Sequence, residues 1–251
     1  MCARTRRPGR RAANLGLTAL VFLVNWWRSS AAAILALAVS ARPPNFGSTL
    51  GLPGAIQIIG GVLILDFSFG YAAHRLLHVF PVLWRFHRVH HSDEFVDATT
   101  AYRTHPVETV WRFLFVIVPV WLLGIPAQAV VIERLVSAAN AILEHANIRL
   151  WAPLDQAASL VWVTPSVHKI HHSRERAQTN SNYGNLLTVF DRLLGTFAPS
   201  QRASSVIYGL HDVDPARVGS FGARLALPFE REGFLTQKSG SGRAHTDTIP
   251  V

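Results

Sequence analysis

Nine of the twelve histidines in this 251-residue chain stand in four tight groups. HRLLH carries His74 and His78; HRVHH carries His87, His90 and His91; HAN carries His145; HKIHH carries His168, His171 and His172. On a helix, positions i, i+3 and i+4 share one face, with side chains about 5–6 Å apart. Each group therefore directs its imidazoles one way, close enough to reach a common metal ion or a pair of ions. Nine neutral imidazoles divide into four or five per ion for two ions, which leaves a position for dioxygen or water. Imidazole suits iron, zinc, copper and nickel, so ligand type alone does not choose among them. Scattered surface histidines are the bland alternative. A chance HxxHH has an expected count of roughly 0.03 in a chain of this length, and the sequence has two.

The same residues exclude other chemistries. There is no HExxH of a zinc hydrolase and no ExxH pair of the ferritin-like di-iron kind. The single cysteine, Cys2, excludes CxxC zinc sites and Cys-ligated iron–sulfur clusters within the chain. Two divalent ions held by neutral rings leave positive charge to offset. Asp66, Asp93, Glu94, Asp97, Glu108, Glu144 and Asp191 are the carboxylates placed to do so or to orient the rings, each with a solvated or capping role as its alternative. His105, in RTHPVE, could ligate, orient a ligand or stand at a helix start; it has no helical partner histidine. His211 and His245 lie outside any group.

The elements that position these groups read as membrane helices. Hydrophobic residues make up 49% and charged residues 16%, against about 25% charge in soluble domains. The net charge is +9, and residues 1–65 hold seven Arg with no Asp or Glu. Arg4, Arg6, Arg7, Arg10 and Arg11 precede an apolar run, as in a positive-inside flank. Nucleic-acid binding would call for a basic patch on a folded module with aromatic interleaving, which is absent. Residues 15–41 are apolar but broken by Asn25, Arg28, Ser29 and Ser30. They predict an uncleaved membrane helix or helical hairpin, with a secretory signal peptide as the competing reading. Arg28 would snorkel, face protein or mark a break. Residues 42–54 read as a loop and residues 55–73 as the next span, with Asp66 its only charge.

Residues 106–124 and 127–147 predict a helical hairpin turning at Gly124-Ile125-Pro126, with Pro119 a kink site in its first arm. Its arms are about 28 Å and 27 Å long, so a chain leaving one face at His105 returns to it at His145. Pro81 and Thr164-Pro165 read as helix starts leading into the two HxxHH groups. Residues 154–163 suit a short amphipathic interfacial helix, 198–235 a loop-rich globular tail and 236–251 a disordered end. Arg75, Arg85, Arg88, Arg103, Lys169, Arg174 and Arg176 crowd the histidine-bearing ends, which assigns that face to the cytoplasm. Trp84, Phe86 and Trp162 are candidates for lining lateral substrate access, or for interfacial anchors. The predicted fold is an all-α, multi-pass membrane bundle with a cytosolic histidine-rich helical cap. Its segments are 1–54 as leader and N-terminal membrane segment, 55–210 as catalytic domain and 211–251 as tail.

The pattern HxxxH, HxxHH, HxN, HxxHH resembles the fatty acid hydroxylase/sterol desaturase superfamily. Surrounding residues agree: Asp66 and Tyr71, Arg103-Thr104-His105-Pro106 with Glu108, Asn147 after His145, Asn182-Tyr183-Gly184, Asp191-Arg192-Leu193 and Gly195-Thr196; Phe190 stands where Trp is common. The resemblance implies a four-helix membrane bundle, two non-haem iron ions held by the nine histidines, dioxygen as co-substrate, hydroxylation or desaturation of a fatty acyl, sterol or isoprenoid-like lipid, and a separate electron-donor protein. It also implies His105, Asp66, Glu108, Asn147 and Asp191 as further ligands or supporting residues. A non-catalytic membrane metal-binding or transport protein is the rival reading. It would place ligands deep within spans, whereas these histidines stand at span ends.

Overall fold

The computed structural model describes residues 9–40 and 46–230. Outside the described residues lie Cys2, His245, most of the basic leader, part of the 42–54 loop and the 236–251 end expected to be disordered.

Four long helices carry the fold. The first, α1, runs unbroken over Arg10–Ser40. No hairpin forms and Arg28 marks no break: its Nη2 donates to Asn25 Oδ1 one turn away at 2.6 Å, and its guanidinium lies over the Phe113 ring at 5.1 Å. The second, α2, spans Gly54–Val79, longer than the 55–73 read from sequence, with a π-helical turn at Asp66–Ala72 inside it. A short helix, α3, follows over Pro81–His91, with Pro81 in its first turn as expected. The hairpin forms as predicted, α4 over Pro106–Leu123 and α5 over Ala127–His145. Gly124 caps α4 at φ +63°, a left-handed conformation that a side chain would strain. The second HxxHH lies on α6, Pro165–His171, with Thr164 as its N-cap.

Helices at Arg10–Val39, Gly54–Val79 and Pro106–Leu123 are long and apolar enough to cross a membrane. They leave large apolar side chains such as Leu23, Trp26, Trp27, Ile34 and Trp121 exposed, a surface suited to hydrocarbon. The fourth, α5, carries Glu133 and Arg134 side by side, paired at 2.7 Å. Among the described residues there is no strand beyond one isolated bridge, Trp162 to Leu187.

Close packing joins the bundle. Ala32, Ala36, Leu65, Val116, Val120, Ile125, Ala129 and Val130 form its core. A Cβ on Gly61 would lie 2.7 Å from Ala129 Cβ, so glycine sets the approach of α2 to α5. Pro119 lacks an N–H and so leaves the Phe115 carbonyl without its helical donor; the Ser68 hydroxyl of α2 donates to that carbonyl at 2.7 Å. The expected interfacial helix is shorter than 154–163 and sits at Ala152–Ala158. The tail does not hang free. A helix at Phe221–Ala226, α7, brings Arg224 against Asn14 of α1, and Val218 and Leu227 pack on Leu17 and Val89.

Candidate metal centre

The nine histidines gather at one end of the bundle, from the end of α2, the end of α3, the last residue of α5 and the end of α6. All are buried except His78, which is half-buried. They form two groups, in each of which the candidate ligand atoms lie within 4.8 Å of one another: His74, His78, His87, His91 and His171 in one, His90, His145, His168 and His172 in the other. The division is four and five, the range the count suggested, but it cuts across the motifs. In the first HxxHH the i and i+4 rings join the five-histidine group and the i+3 ring turns to the other. In the second, the i and i+4 rings join the four-histidine group and the i+3 ring crosses over. One turn of helix therefore spans both groups, twice.

The donor set fits metal ions. His90 and His145, His145 and His168, His145 and His172, and His168 and His172 bring their Nε2 atoms to 3.0–3.1 Å. His87 Nε2 stands at 3.0 and 3.1 Å from those of His74 and His91. Two nitrogens at right angles around an ion, each about 2.1 Å from it, are about 3.0 Å apart. Burial pushes the pKa of His90, His91, His168 and His172 well below the usual histidine value and that of His171 down to about 3. Burial also lowers His87, although the Glu108 carboxylate opposes it. Burial thus favours the neutral form of these rings, the form that binds metal.

Outer partners fix several rings. His74 Nδ1 donates to the Tyr183 carbonyl and His171 Nδ1 to the Ser181 carbonyl, both at 2.8 Å, and His145 Nδ1 to the Ala141 carbonyl at 2.6 Å. Each leaves Nε2 aimed inward. Glu108 Oε2 lies 3.0 Å from His87 Nδ1 while its Oε1 accepts from Arg112 at 2.9 Å. Glu144 lies 3.7 Å from both His145 and His168.

Other sequence candidates act elsewhere. Asp66 accepts from the Leu186 and Leu187 amides at 3.1 and 3.2 Å. Asp191 accepts from the Tyr183 and Gly184 amides at 2.8 Å and from the Thr196 hydroxyl at 2.7 Å. Both carboxylates hold the loop that supplies the Ser181 and Tyr183 carbonyls, and neither offset of charge nor ring contact is their visible task. His105 belongs to neither group; its Nδ1 caps α4 by accepting from the Val107 amide at 3.2 Å. Asn147 is exposed. Asp93 and Asp97 pair with Arg10, tying the start of α1 to the end of the first HxxHH; Glu94 lies 4.0 Å from Arg174.

Sequence reasoning missed the 181–187 loop as a source of ring-orienting carbonyls. Its signals were Asn182, in the left-handed region at φ +53°, and Gly184, where a Cβ would meet the Leu187 carbonyl at 2.5 Å.

A cavity of about 530 Å³ opens beside the histidines, within the size of small-molecule sites. His74, His90, His145 and His168 line one part of it; Phe22, Trp26, Phe69 and Phe113 line another. The aromatics singled out from sequence do not line this cavity. Trp84 packs on His78 at 5.0 Å and Phe86 on His105 at 5.1 Å, while Trp162 donates to Asn140 at 2.8 Å.

The family profile described as fatty acid hydroxylase matches residues 58–196, a stretch that contains all nine histidines. An ornithine lipid hydroxylase of Rhizobium tropici, OlsE, is 37% identical over 183 residues, which are 72% of this chain and 53% of that protein. The alkylglycerol monooxygenase of Danio rerio is 33% identical over 141 residues, 56% of this chain and 30% of that protein, and the Homo sapiens enzyme of that name is 30% identical over 149 residues, 58% and 31%. The chain thus spans about half the length of the bacterial relative and less than a third of the animal ones. No solved structure matches it. Histidine spacing, all-helical fold and profile agree: the chain belongs to the fatty acid hydroxylase family.

Proposed function

We propose that this chain is a membrane non-haem di-iron oxygenase that hydroxylates a lipid, taking dioxygen as co-substrate and electrons from a separate protein. The observation that carries the reading is the pair of histidine groups, buried but for His78, beside one cavity between bilayer-length helices, which His74 of one group and His90, His145 and His168 of the other line. His74, His78, His87, His91 and His171 would hold one iron ion, and His90, His145, His168 and His172 the other. Bound there, the ions would supply the chemistry that activates dioxygen and oxidises an unactivated C–H bond. The overall reaction takes a C–H bond, dioxygen, two electrons and two protons to an alcohol and water.

The chain's own residues bind, orient and shield. Nδ1 bonds to backbone carbonyls fix His74, His145 and His171, Glu108 offsets charge beside His87, and the apolar cavity wall takes the hydrocarbon part of the substrate. The names of the relatives, a hydroxylase and monooxygenases, favour hydroxylation over desaturation. A cytoplasmic position for the histidine end is supported by α1. Its start lies at that end through the Arg10 pairs with Asp93 and Asp97, and carries the exposed Arg11 there. Arg88 and Arg103, counted among the flanking charges from sequence, are buried against Asp212 and Asp93 and do not bear on the orientation.

The test is metal analysis and Mössbauer spectroscopy of detergent-purified full-length protein, with His90→Ala as control. About two irons per chain, reduced in the variant, and lipid-dependent dioxygen consumption with a reductant are expected. Iron-replete protein that consumes no dioxygen with lipid and reductant would refute the catalytic reading.

A further inference from the structure

The cavity beside the histidines contains a cation that no carboxylate among the described residues neutralises. Arg28 lines it from α1. Its Nη2 donates to the neutral Asn25 side chain, and its Nε and Nη1 are buried without a hydrogen-bond partner. The other two arginines of the wall are paired: Arg112 with Glu108 at 2.9 Å and Arg134 with Glu133 at 2.7 Å. Glu144, the remaining carboxylate in the wall, belongs to the histidines, 3.7 Å from His145 and His168. Among the described residues no carboxylate pairs with Arg28.

Its depth makes this unusual. Arg28 lies over Phe113, about 10 Å along α4 from Pro106 at the histidine end. An unpaired guanidinium inside bilayer-length helices is costly, and such residues mark ligand sites by default. Apolar walls from Phe22, Trp26 and Phe113 surround it.

We propose that Arg28 receives an anionic group, carboxylate or phosphate, of the amphiphile that occupies this cavity, and so selects acidic lipids as substrates. The inference rests on the reading of the cavity as the substrate site. Guanidinium N–H groups pair well with carboxylate and phosphate oxygens and are less strongly hydrated than an ammonium. The ligand's charge would supply what Arg28 lacks, while its chain lies against the aromatic wall. Glu108, in contact with His87, precedes Phe113 by five residues on α4, about 7.5 Å of rise. The anion therefore sits on the order of 10 Å from the histidines, and the oxidised carbon lies several bonds from the charged group.

The experiment measures binding of four probes to the full-length protein in nanodiscs: palmitate, hexadecyl phosphate, methyl palmitate and hexadecanol. Wild type, Arg28→Gln and Arg28→Lys are compared, with metal content and dioxygen consumption read on the same samples. Wild type is expected to bind at least one anion about 10-fold or more tighter than its neutral counterpart, with Arg28→Gln losing that preference and Arg28→Lys keeping most of it. The anion bound more tightly identifies the source of the charge. Equal binding of anionic and neutral probes by wild type overturns the proposal, and this arm does not depend on any variant folding. An undiminished preference in Arg28→Gln also overturns it. An Arg28-dependent preference in iron-replete protein that consumes no dioxygen would instead sink the catalytic reading and leave the anion site standing.

Discussion

Replacing Asp191 with Asn removes one negative charge 1% exposed to solvent and nothing of its size. Each carboxylate oxygen is in use: Oδ1 accepts from the Tyr183 amide and the Thr196 hydroxyl, Oδ2 from the Gly184 amide. An amide must turn its NH₂ toward one of these donors. Losing a charge-assisted bond costs about 1.5–3 kcal/mol and stranding a buried donor about 1–3 kcal/mol more. The total, about 2.5–6 kcal/mol, is a large share of a typical protein's stability. The damage should also be selective. The loop that Asp191 holds presents the Tyr183 and Ser181 carbonyls to His74 and His171, both in the five-histidine group. No ring of the four-histidine group bonds to it. Loss of such an outer partner typically weakens metal binding about 10–100-fold. Iron-loaded wild type and Asp191→Asn should be challenged with a chelator and followed by metal analysis and Mössbauer spectroscopy. The variant should fall quickly from about two irons toward one, with a lowered Tm, and the remaining iron should keep its spectrum. Uniform loss from both sites, or wild-type retention at wild-type Tm, would refute the reasoning.

Three further outcomes follow from named contacts. Glu108→Gln weakens the link between His87 and Arg112 at a wholly buried carboxylate; iron retention should drop about 10-fold or more, measured by chelator competition, and unchanged retention would mean Glu108 only neutralises Arg112. Gly61→Leu forces α2 from α5 where a bare Cβ already meets Ala129 at 2.7 Å; a cost of about 1–3 kcal/mol should lower Tm, and an unaltered Tm would place the close approach elsewhere. Ser68→Ala strands the Phe115 carbonyl and should cost about 1 kcal/mol, but much less in a Pro119→Ala background, where the helix supplies its own donor; additive losses in that double-mutant cycle would disprove the coupling.

Much of this molecule can be read from the residues alone, and the limits of that reading are physical. The i, i+3, i+4 spacing carried the gathering of nine rings at one end, because a helix face is a local property. Their role as ligands is the proposal above. Gly124 and Pro126 gave the hairpin, and Pro81 and Thr164-Pro165 the helix starts, for the same local reason. The split of each HxxHH between two groups was not legible, since it depends on which helix faces which. Nor was the π-helical turn at Asp66–Ala72, which arises in packing rather than in propensity. Asp66 and Asp191 read as charges near a metal; only the fold brings them to the amides of 183–187. Arg28 looked like an interruption in an apolar run, whereas a helix tolerates a long charged side chain where a neighbouring ring and a cavity receive it.

The crossed motifs make the two nests mutually dependent. His168 and His172, in holding an ion, would fix the helical turn that also carries His171; His87 and His91 would likewise fix the turn that carries His90. Whichever nest fills first thus pre-arranges one donor of its neighbour, and by thermodynamic reciprocity the favour is returned in equal measure. Only one donor of each nest is shared in this way, so either site can still be loaded alone.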